Sequence, residues 1–303
     1  MQSIYAFWKS ETSDLTRTEK FIDSSSQSMY DLYLLMLSLL VEVQKVAEDR
    51  LIKSQKKYLA TEAEKNPSRK FVDNQLLKLL SINKDLQQHL EDRKLNYWEL
   101  DNEYVHLLLK ELSQSSIYET YLTDTSPTFK KDQDFIVSFY RKILAPNEKL
   151  YEYLEDKRLT WLDDFPLVNT MVVKTLKQFK ETSAEDFFLP KLYKDLEDKQ
   201  YAIDLFRKTV LNDEVILKEI VAKTPNWDKD RIADLDMVLL KMAISEFMYF
   251  PSIPVKVTIN EYLEIAKEYS TPKSSLFING ILDKLVKEYT EKGTLNKSGR
   301  GLM

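Results

Sequence analysis

Glycine is nearly absent from this sequence. Three of its four glycines stand close to the C-terminus, at positions 293, 299 and 301, which leaves Gly280 alone for the body of the chain. A β-rich or α/β protein of this length needs many glycines for turns with positive φ, so the scarcity predicts a chain built from helices. Glycine-rich phosphate-binding loops are excluded as well, because no GxGxxG or GxxxxGK segment is present, and with them Rossmann-type and P-loop chemistry.

Cysteine is absent altogether. This excludes disulfides, thiolate zinc sites and cysteine nucleophiles, and it fits a reducing compartment. The only histidines are His89 and His106, which are far apart and have no partner at metal-ligand spacing, so surface or interface roles are favoured for both. We therefore expect no metal site, no cofactor and no enzymatic activity.

Long hydrophobic runs are also lacking. The most apolar run is Leu32 to Val41, bracketed by Asp31 and Glu42, and its ten residues are too few to span a bilayer. It is typical of a buried helix segment. No secretory signal is visible. A net charge of −5 argues weakly against nucleic-acid binding and favours solubility. We expect a cytoplasmic protein.

Helical periodicity and polar breaks organise the chain. Met1, Ile4, Tyr5 and Trp8 form one helical face, and the polar residues 10–28 are expected to form a loop. Proline-punctuated helices are expected to follow through the middle of the chain. The adjacent acids Asp163 and Asp164 do not share a helical face, which favours solvated helix-start charges over a catalytic dyad.

Three helices with clear punctuation follow near the C-terminus. The first is expected to end before Pro251. The second is expected to begin at Thr258, where Thr258 and Glu261 have the spacing of a capping box. The third is expected to begin at Thr271, a cap residue followed by Pro272 at the first helical position.

Phe277 and Gly280 lie beside the apolar stripe of the third helix rather than at its centre. Two interpretations fit a large aromatic next to a residue without a side chain. Gly280 allows a neighbouring helix to pack closely and Phe277 is the margin of the core, or the two form a docking point for a partner. Geometry alone favours the packing interpretation, since aromatic margins are common and surface hot spots are few.

Several motifs of this region occur together and in a fixed order. They are Asn226-Trp227, Arg231-Ile232, DMVLLKMAISEF at 236–247, Ile253-Pro254-Val255, INEYLEIAK at 259–267 and FINGILD at 277–283. This set resembles the transcription antitermination factor NusB family. A NusB-like domain also occurs fused to RNA cytosine methyltransferases, but this chain has no room, no cysteine and no glycine loop for such an enzyme.

The resemblance implies an all-α helical bundle of two subdomains. Under it we expect residues 1–190 to hold a NusB-like first helix plus extra inserted helices in the N-terminal half. Residues 191–290 are then the C-terminal NusB-like subdomain and 291–303 a flexible tail. The implied function is antitermination by binding boxA RNA of nascent ribosomal RNA transcripts together with ribosomal protein NusE, in the RNA polymerase antitermination complex.

The resemblance also implies site residues. The family's aromatic in FxNG lies where the ribosomal protein docks, which favours docking over packing for Phe277. We assign partner binding to Phe277, Gly280 and Lys284. We assign RNA binding to six residues on the first helix and around the start of the last helix: Gln2, Tyr5, Lys273, Ser274, Ser275 and Asn279.

The start of the sequence departs from the family pattern. Gln2 to Ala6 resembles the family's QALY element, which follows an arginine-rich stretch that contacts RNA phosphates. That stretch does not precede the element here, and we expect the natural chain to start upstream with basic residues. The alternative is a helical interaction scaffold with the same fold that has lost RNA binding, an alternative that the acidic charge balance supports.

Overall fold

The computed structural model describes residues 1–10, 14–56, 66–126, 128–185, 187–223, 232–295 and 297. Within these ranges the chain forms helices and no β-strand, which confirms the predicted all-α fold. A π-helical turn, Tyr140–Leu144, follows the eighth of the helices. The α-helices are α1 (Gln2–Lys9), α2 (Leu15–Gln55), α3 (Gln75–Ser81), α4 (Lys84–Asp92), α5 (Tyr97–Leu100), α6 (Asn102–Ser113), α7 (Ser116–Thr123), α8 (Phe129–Phe139), α9 (Glu148–Lys157), α10 (Trp161–Gln178), α11 (Leu196–Leu211), α12 (Asp213–Lys223), α13 (Asp234–Tyr249), α14 (Val255–Tyr269) and α15 (Ser274–Glu291).

The helices form two compact units. The C-terminal unit combines Met1–Ser24 with Tyr193–Met303, and the middle unit comprises Ser25–Leu192. From the sequence we expected the boundary between the two parts after residue 190, with the first helix in the N-terminal region. In the structure Ile4 of α1 is 2% exposed and shares a core with helices α11 to α15, so α1 packs with the C-terminal helices.

The beginning of α2 lies in the segment 10–28, for which a loop was expected. That prediction was wrong, because α2 begins at Leu15. The Asp14 carboxylate accepts a hydrogen bond from the Arg17 backbone N–H at 3.0 Å and caps the helix. The Thr18 hydroxyl donates to the Asp14 carbonyl at 3.2 Å, so it is satisfied within the helix and does not break it.

The middle unit is built around the apolar run of α2. Every residue from Leu32 to Val41 is buried, as expected. Two indoles fix neighbouring segments to the α2 backbone. Trp98 Nε1 donates to the Leu35 carbonyl at 2.9 Å, and Trp161 Nε1 donates to the Ser28 carbonyl at 2.8 Å. None of the helices in the described part of the chain is long and apolar enough to cross a membrane.

The C-terminal unit corrects one predicted helix start. Helix α14 begins at Val255, directly after Pro254, and not at a capping box on Thr258. Pro254 lacks an N–H that the first turn would leave unpaired, so its position before the helix costs no hydrogen bond. Thr258 lies one turn inside the helix and is fully buried.

The expected flexible tail is described only in part, as 291–295 and 297. Leu295 packs against the core of the C-terminal unit. Lys297 Nζ donates to the carbonyls of Glu246 and Phe250 at 3.0 and 2.9 Å, which pairs two acceptors at the end of α13. These described tail residues are therefore held by specific contacts.

Candidate binding surface

The start of α15 is fixed by a buried carboxylate on α13. Ser274 Oγ donates to Asp236 Oδ2 at 2.7 Å, and Ser270 Oγ donates to Asp236 Oδ1 at 2.5 Å. The Thr271 and Ser274 hydroxyls are 2.8 Å apart. Ser274 is 2% exposed and Asp236 is 6% exposed. The Ser274 hydroxyl therefore positions the helix and is not presented to solvent, unlike the neighbouring Lys273.

The expected cap arrangement at this helix start differs in detail from the structure. The helix begins at Ser274, and Lys273 occupies the N-cap position without a side-chain cap. The Thr271 carbonyl accepts from the Ser274 N–H at 2.9 Å, so the segment through Pro272 forms a turn before the helix. Exposed N–H groups at such a start are suited to anions.

Four residues define what we call the α15 face: Lys273, Leu276, Gly280 and Lys284. All four are exposed, and their spacing of three and four residues puts them on one side of the helix. Leu276 is 77% exposed. A Cβ added at Gly280 meets nothing within 4 Å. Gly280 is therefore not required for close packing of a neighbouring helix, and it leaves a notch beside Leu276.

A partner that docks on Phe277 alone would need an exposed aromatic ring, and Phe277 does not provide one. Its side chain is half-buried and packs against the core of the C-terminal unit. Sequence reasoning missed Leu276 as the exposed apolar residue of this segment. The available signal was its position outside the buried stripe of Ile278, Ile281 and Leu282.

The remaining α15 candidates lie on the flank of this face. Ser275 and Asn279 are both half-buried. Asn279 Nδ2 donates to Asp283 Oδ2 at 3.0 Å one turn further along the helix. The amide is therefore held in place with its oxygen still available to a donor.

The α1 candidates form a separate group. Gln2 is exposed and Tyr5 is 37% exposed. Lys9 Nζ lies 5.7 Å from the Tyr5 ring centroid and 2.8 Å from Asp234 Oδ2. The hydrogen bond that the Lys9 ammonium donates to the Asp234 carboxylate raises the pKa of Lys9, and the negative charge of the carboxylate raises it further. Lys9 therefore lies beside the Tyr5 ring and links α1 to the start of α13.

A buried lysine anchors α1, and the sequence did not reveal it. Lys241 of α13 is 6% exposed, and its Nζ lies 4.2 Å from the Trp8 ring centroid and 2.5 Å from Asp213 Oδ1. Helix α13 thus contacts α1 and also packs against α15. The two groups of candidates share one supporting helix, α13.

The described residues contain no group of three or more His, Cys, Asp or Glu side chains that could hold a metal ion. His89 pairs with Asp85 at 3.7 Å, and His106 Nδ1 lies 2.9 Å from Arg50. Asn226, Trp227 and Arg231, which belong to the resemblance, lie outside the described residues. In the described residues the fold is all-helical, and the candidate side chains are charged, polar and apolar groups suited to binding another macromolecule.

Comparison with known proteins places this fold in a family. The NusB family model matches residues 168–287. A transcription antitermination protein NusB of Salinibacter ruber is 41% identical over 112 residues, which cover 37% of this chain and 70% of that relative. One of Koribacter versatilis is 44% identical over 97 residues, 31% of this chain and 66% of the relative.

A third relative, from Chloroherpeton thalassium and also called transcription antitermination protein NusB, is 43% identical over 109 residues. These cover 36% of this chain and 52% of the relative, so the chain spans about half the length of that protein. No solved structure matches the chain. The chain belongs to the NusB family, which confirms the resemblance found in the sequence.

Proposed function

We propose that this protein is a transcription antitermination factor that binds boxA-type RNA of nascent ribosomal RNA transcripts together with ribosomal protein NusE. The observation that carries the proposal is the similarity to NusB proteins over the region that contains the α15 face. The proposed action is binding, without catalysis, within the RNA polymerase antitermination complex.

The RNA part of the proposal uses charge, amide and aromatic groups. Lys273 is exposed at the start of α15, where its ammonium and the free backbone N–H groups favour a phosphate. Ser275 and Asn279 supply hydrogen-bonding groups for bases. Gln2 and the exposed ring of Tyr5 on α1 offer an amide and a stacking surface for unpaired bases. Ser274 acts indirectly, by holding the helix start.

The protein part of the proposal places NusE on the α15 face. Leu276 loses its exposed apolar surface on docking, and the notch at Gly280 receives a side chain or backbone of the partner. Lys284 adds a charge at the rim. Phe277 supports this face from below, since its ring packs against the core beneath it. Apolar anchors of this kind contribute most of the binding free energy in interfaces.

The test compares NusE affinity across three variants by calorimetry. We expect Leu276→Ala and Phe277→Ala each to weaken binding by more than about 1 kcal/mol, with an unchanged helical circular dichroism spectrum. Val257→Ala is the matched control, because Val257 is an exposed apolar residue on α14, 46% exposed, outside the α15 face. Unchanged affinity in both α15 variants contradicts this docking assignment.

A scaffold without RNA binding is the second candidate. The net charge of −5 favours it, because acidic proteins are repelled by phosphate backbones unless a local basic patch prevails. The two candidates differ in one outcome. If RNA is bound at the start of α15, Lys273→Gln lowers the affinity for RNA and makes that affinity less dependent on salt. A scaffold instead binds NusE equally well with and without boxA RNA.

A further inference from the structure

The middle unit has a basic surface beside its π-helical turn, although the whole chain carries a net charge of −5. Arg141 of this turn and Lys174 and Lys177 of α10 are exposed. None of the three forms an ion pair with another residue that the structure describes. Asp134 of α8, the helix before the turn, is paired with Lys130 at 2.8 Å. We call Arg141, Lys174 and Lys177 the basic face of the middle unit.

The two lysines continue along the side of α10 that borders the π-helical turn. Thr170, Lys174 and Lys177 are four and three residues apart, a spacing that puts side chains on one side of a helix. Thr170 and Arg141 border the same pocket. The stretch from Thr170 to Lys177 is about 10 Å long at a helical rise of about 1.5 Å per residue. Unpaired cations over this length suit a chain of phosphates better than a single small anion.

A solvent-open pocket with a volume of about 390 Å³ lies between the π-helical turn and α10. Its lining includes Arg141 from the turn and Asn169, Thr170 and Val173 from α10. The Ala145 N–H donates to the Tyr140 carbonyl at 2.8 Å and closes the wide turn. Turns of this type occur frequently at functional sites. The turn thus brings a guanidinium to one side of the pocket, and α10 brings an amide to the other.

Asn169 offers a hydrogen-bond donor in this pocket. Its Oδ1 accepts from the buried Tyr140 hydroxyl at 2.7 Å, which fixes the orientation of the amide. Burial raises the pKa of Tyr140, so this hydroxyl stays protonated and donates. Within the described residues Asn169 Nδ2 has no partner and is not among the buried unpaired atoms, so it is open to solvent. An amide N–H in this position suits an acceptor such as a phosphate oxygen.

We propose that the basic face and the Asn169 amide bind the phosphate backbone of single-stranded RNA. The identity of the polyanion rests on the proposed function, and the contacts lie outside the α1 and α15 candidates. A local basic face overrides the unfavourable net charge of the chain. Because phosphates carry no sequence information, the middle unit adds affinity for RNA that flanks boxA without selecting its sequence.

The test measures fluorescence anisotropy with boxA RNA and with boxA RNA extended at both ends by unstructured nucleotides. We expect the wild-type chain to bind the extended RNA more tightly. The combined variant Arg141→Gln, Lys174→Gln and Lys177→Gln should lose this gain and bind boxA alone as the wild type does. For the extended RNA, the ratio of wild-type to variant affinity should fall about 18-fold between about 50 and about 200 mM salt, because three phosphate contacts are lost.

A matched control removes three other cations from the middle unit. It combines Lys53→Gln, Lys94→Gln and Lys110→Gln, three exposed lysines without an ion pair in the described part of the chain. We expect this control to keep the preference for the extended RNA. Asn169→Asp keeps an acceptor for the Tyr140 hydroxyl but replaces the amide donor by a negative charge. It should weaken binding of the extended RNA about threefold or more at about 200 mM salt.

The proposal is overturned if the basic-face variant binds the extended RNA as the wild type does, or if both combined variants lose the same affinity and salt dependence. An extended RNA with a scrambled boxA separates this proposal from the proposed function. If the scrambled RNA binds as tightly as boxA RNA, recognition of boxA fails. Loss of affinity for that scrambled RNA in the basic-face variant alone still supports the basic face. If the wild-type chain binds none of these RNAs, both proposals fail.

Discussion

Ser274 and Ser275 are adjacent in sequence but differ in what their hydroxyls contact, and replacing each by alanine tests the account of the α15 start. Ser274 donates to the buried Asp236 carboxylate at 2.7 Å. A hydrogen bond to a charged group contributes about 1.5–3 kcal/mol. The carboxylate keeps its bond from Ser270 in the variant, so we expect Ser274→Ala to lower the free energy of unfolding by about 2 kcal/mol.

Ser275→Ala is the matched control. Ser275 is half-buried, and its hydroxyl makes no hydrogen bond within the described residues. We expect a change within about 0.5 kcal/mol. Urea unfolding measures the difference, and amide hydrogen exchange assigns it to the C-terminal unit, where exchange from α13 and α15 should accelerate about 30-fold in Ser274→Ala only. Equal stabilities of the two variants would show that the Ser274–Asp236 hydrogen bond does not stabilise the start of α15.

Two further predictions concern the middle unit. Tyr33→Phe should cost about 1 kcal/mol because its bond to Thr175 is lost, whereas Tyr30→Phe, which removes an unpaired hydroxyl, should leave the urea midpoint unchanged or higher. Burial first, and the charge of Asp163 second, raise the pKa of Asp164 to about 6 from 3.8. The folded state therefore holds this proton more tightly, and stability falls as pH rises from about 4 to about 6. In Asp164→Asn the free energy of unfolding should fall less over this pH range than in the wild type. If both proteins lose the same free energy of unfolding between the two pH values, the prediction is contradicted.

The all-helical class could be predicted from composition, because β-rich and α/β folds need more glycines for their turns than this chain contains. The start of α2 could not, because Asp14 and Thr18 resemble loop residues until their bonds to the helix backbone are seen. The expectation for Asp164 was wrong in one respect, since one of its carboxylate oxygens is buried without a partner. Such burial depends on the neighbouring segments, which a local pattern does not specify.

The α15 candidates also separate into what the sequence predicts and what depends on packing against other segments. The resemblance identified the segment, but which of its residues face solvent depends on what packs opposite them. Ser274 faces Asp236, which lies 38 positions earlier in the chain, so no local pattern separates it from Ser275. The FxNG motif points to its aromatic, Phe277, whose ring packs partly against the core, and it does not mark the exposed Leu276 beside it.

Binding of boxA RNA can be measured by titration against the full chain, with and without NusE and at two salt concentrations. We expect tighter binding of boxA RNA than of a scrambled RNA, an increase in affinity when NusE is present, and weaker binding at higher salt. Raising salt from about 50 to about 200 mM should weaken binding about 2.6-fold for each phosphate contact to a single strand. If boxA RNA binds no more tightly than the scrambled RNA, and NusE binding does not respond to boxA RNA, the protein is not a boxA-binding factor.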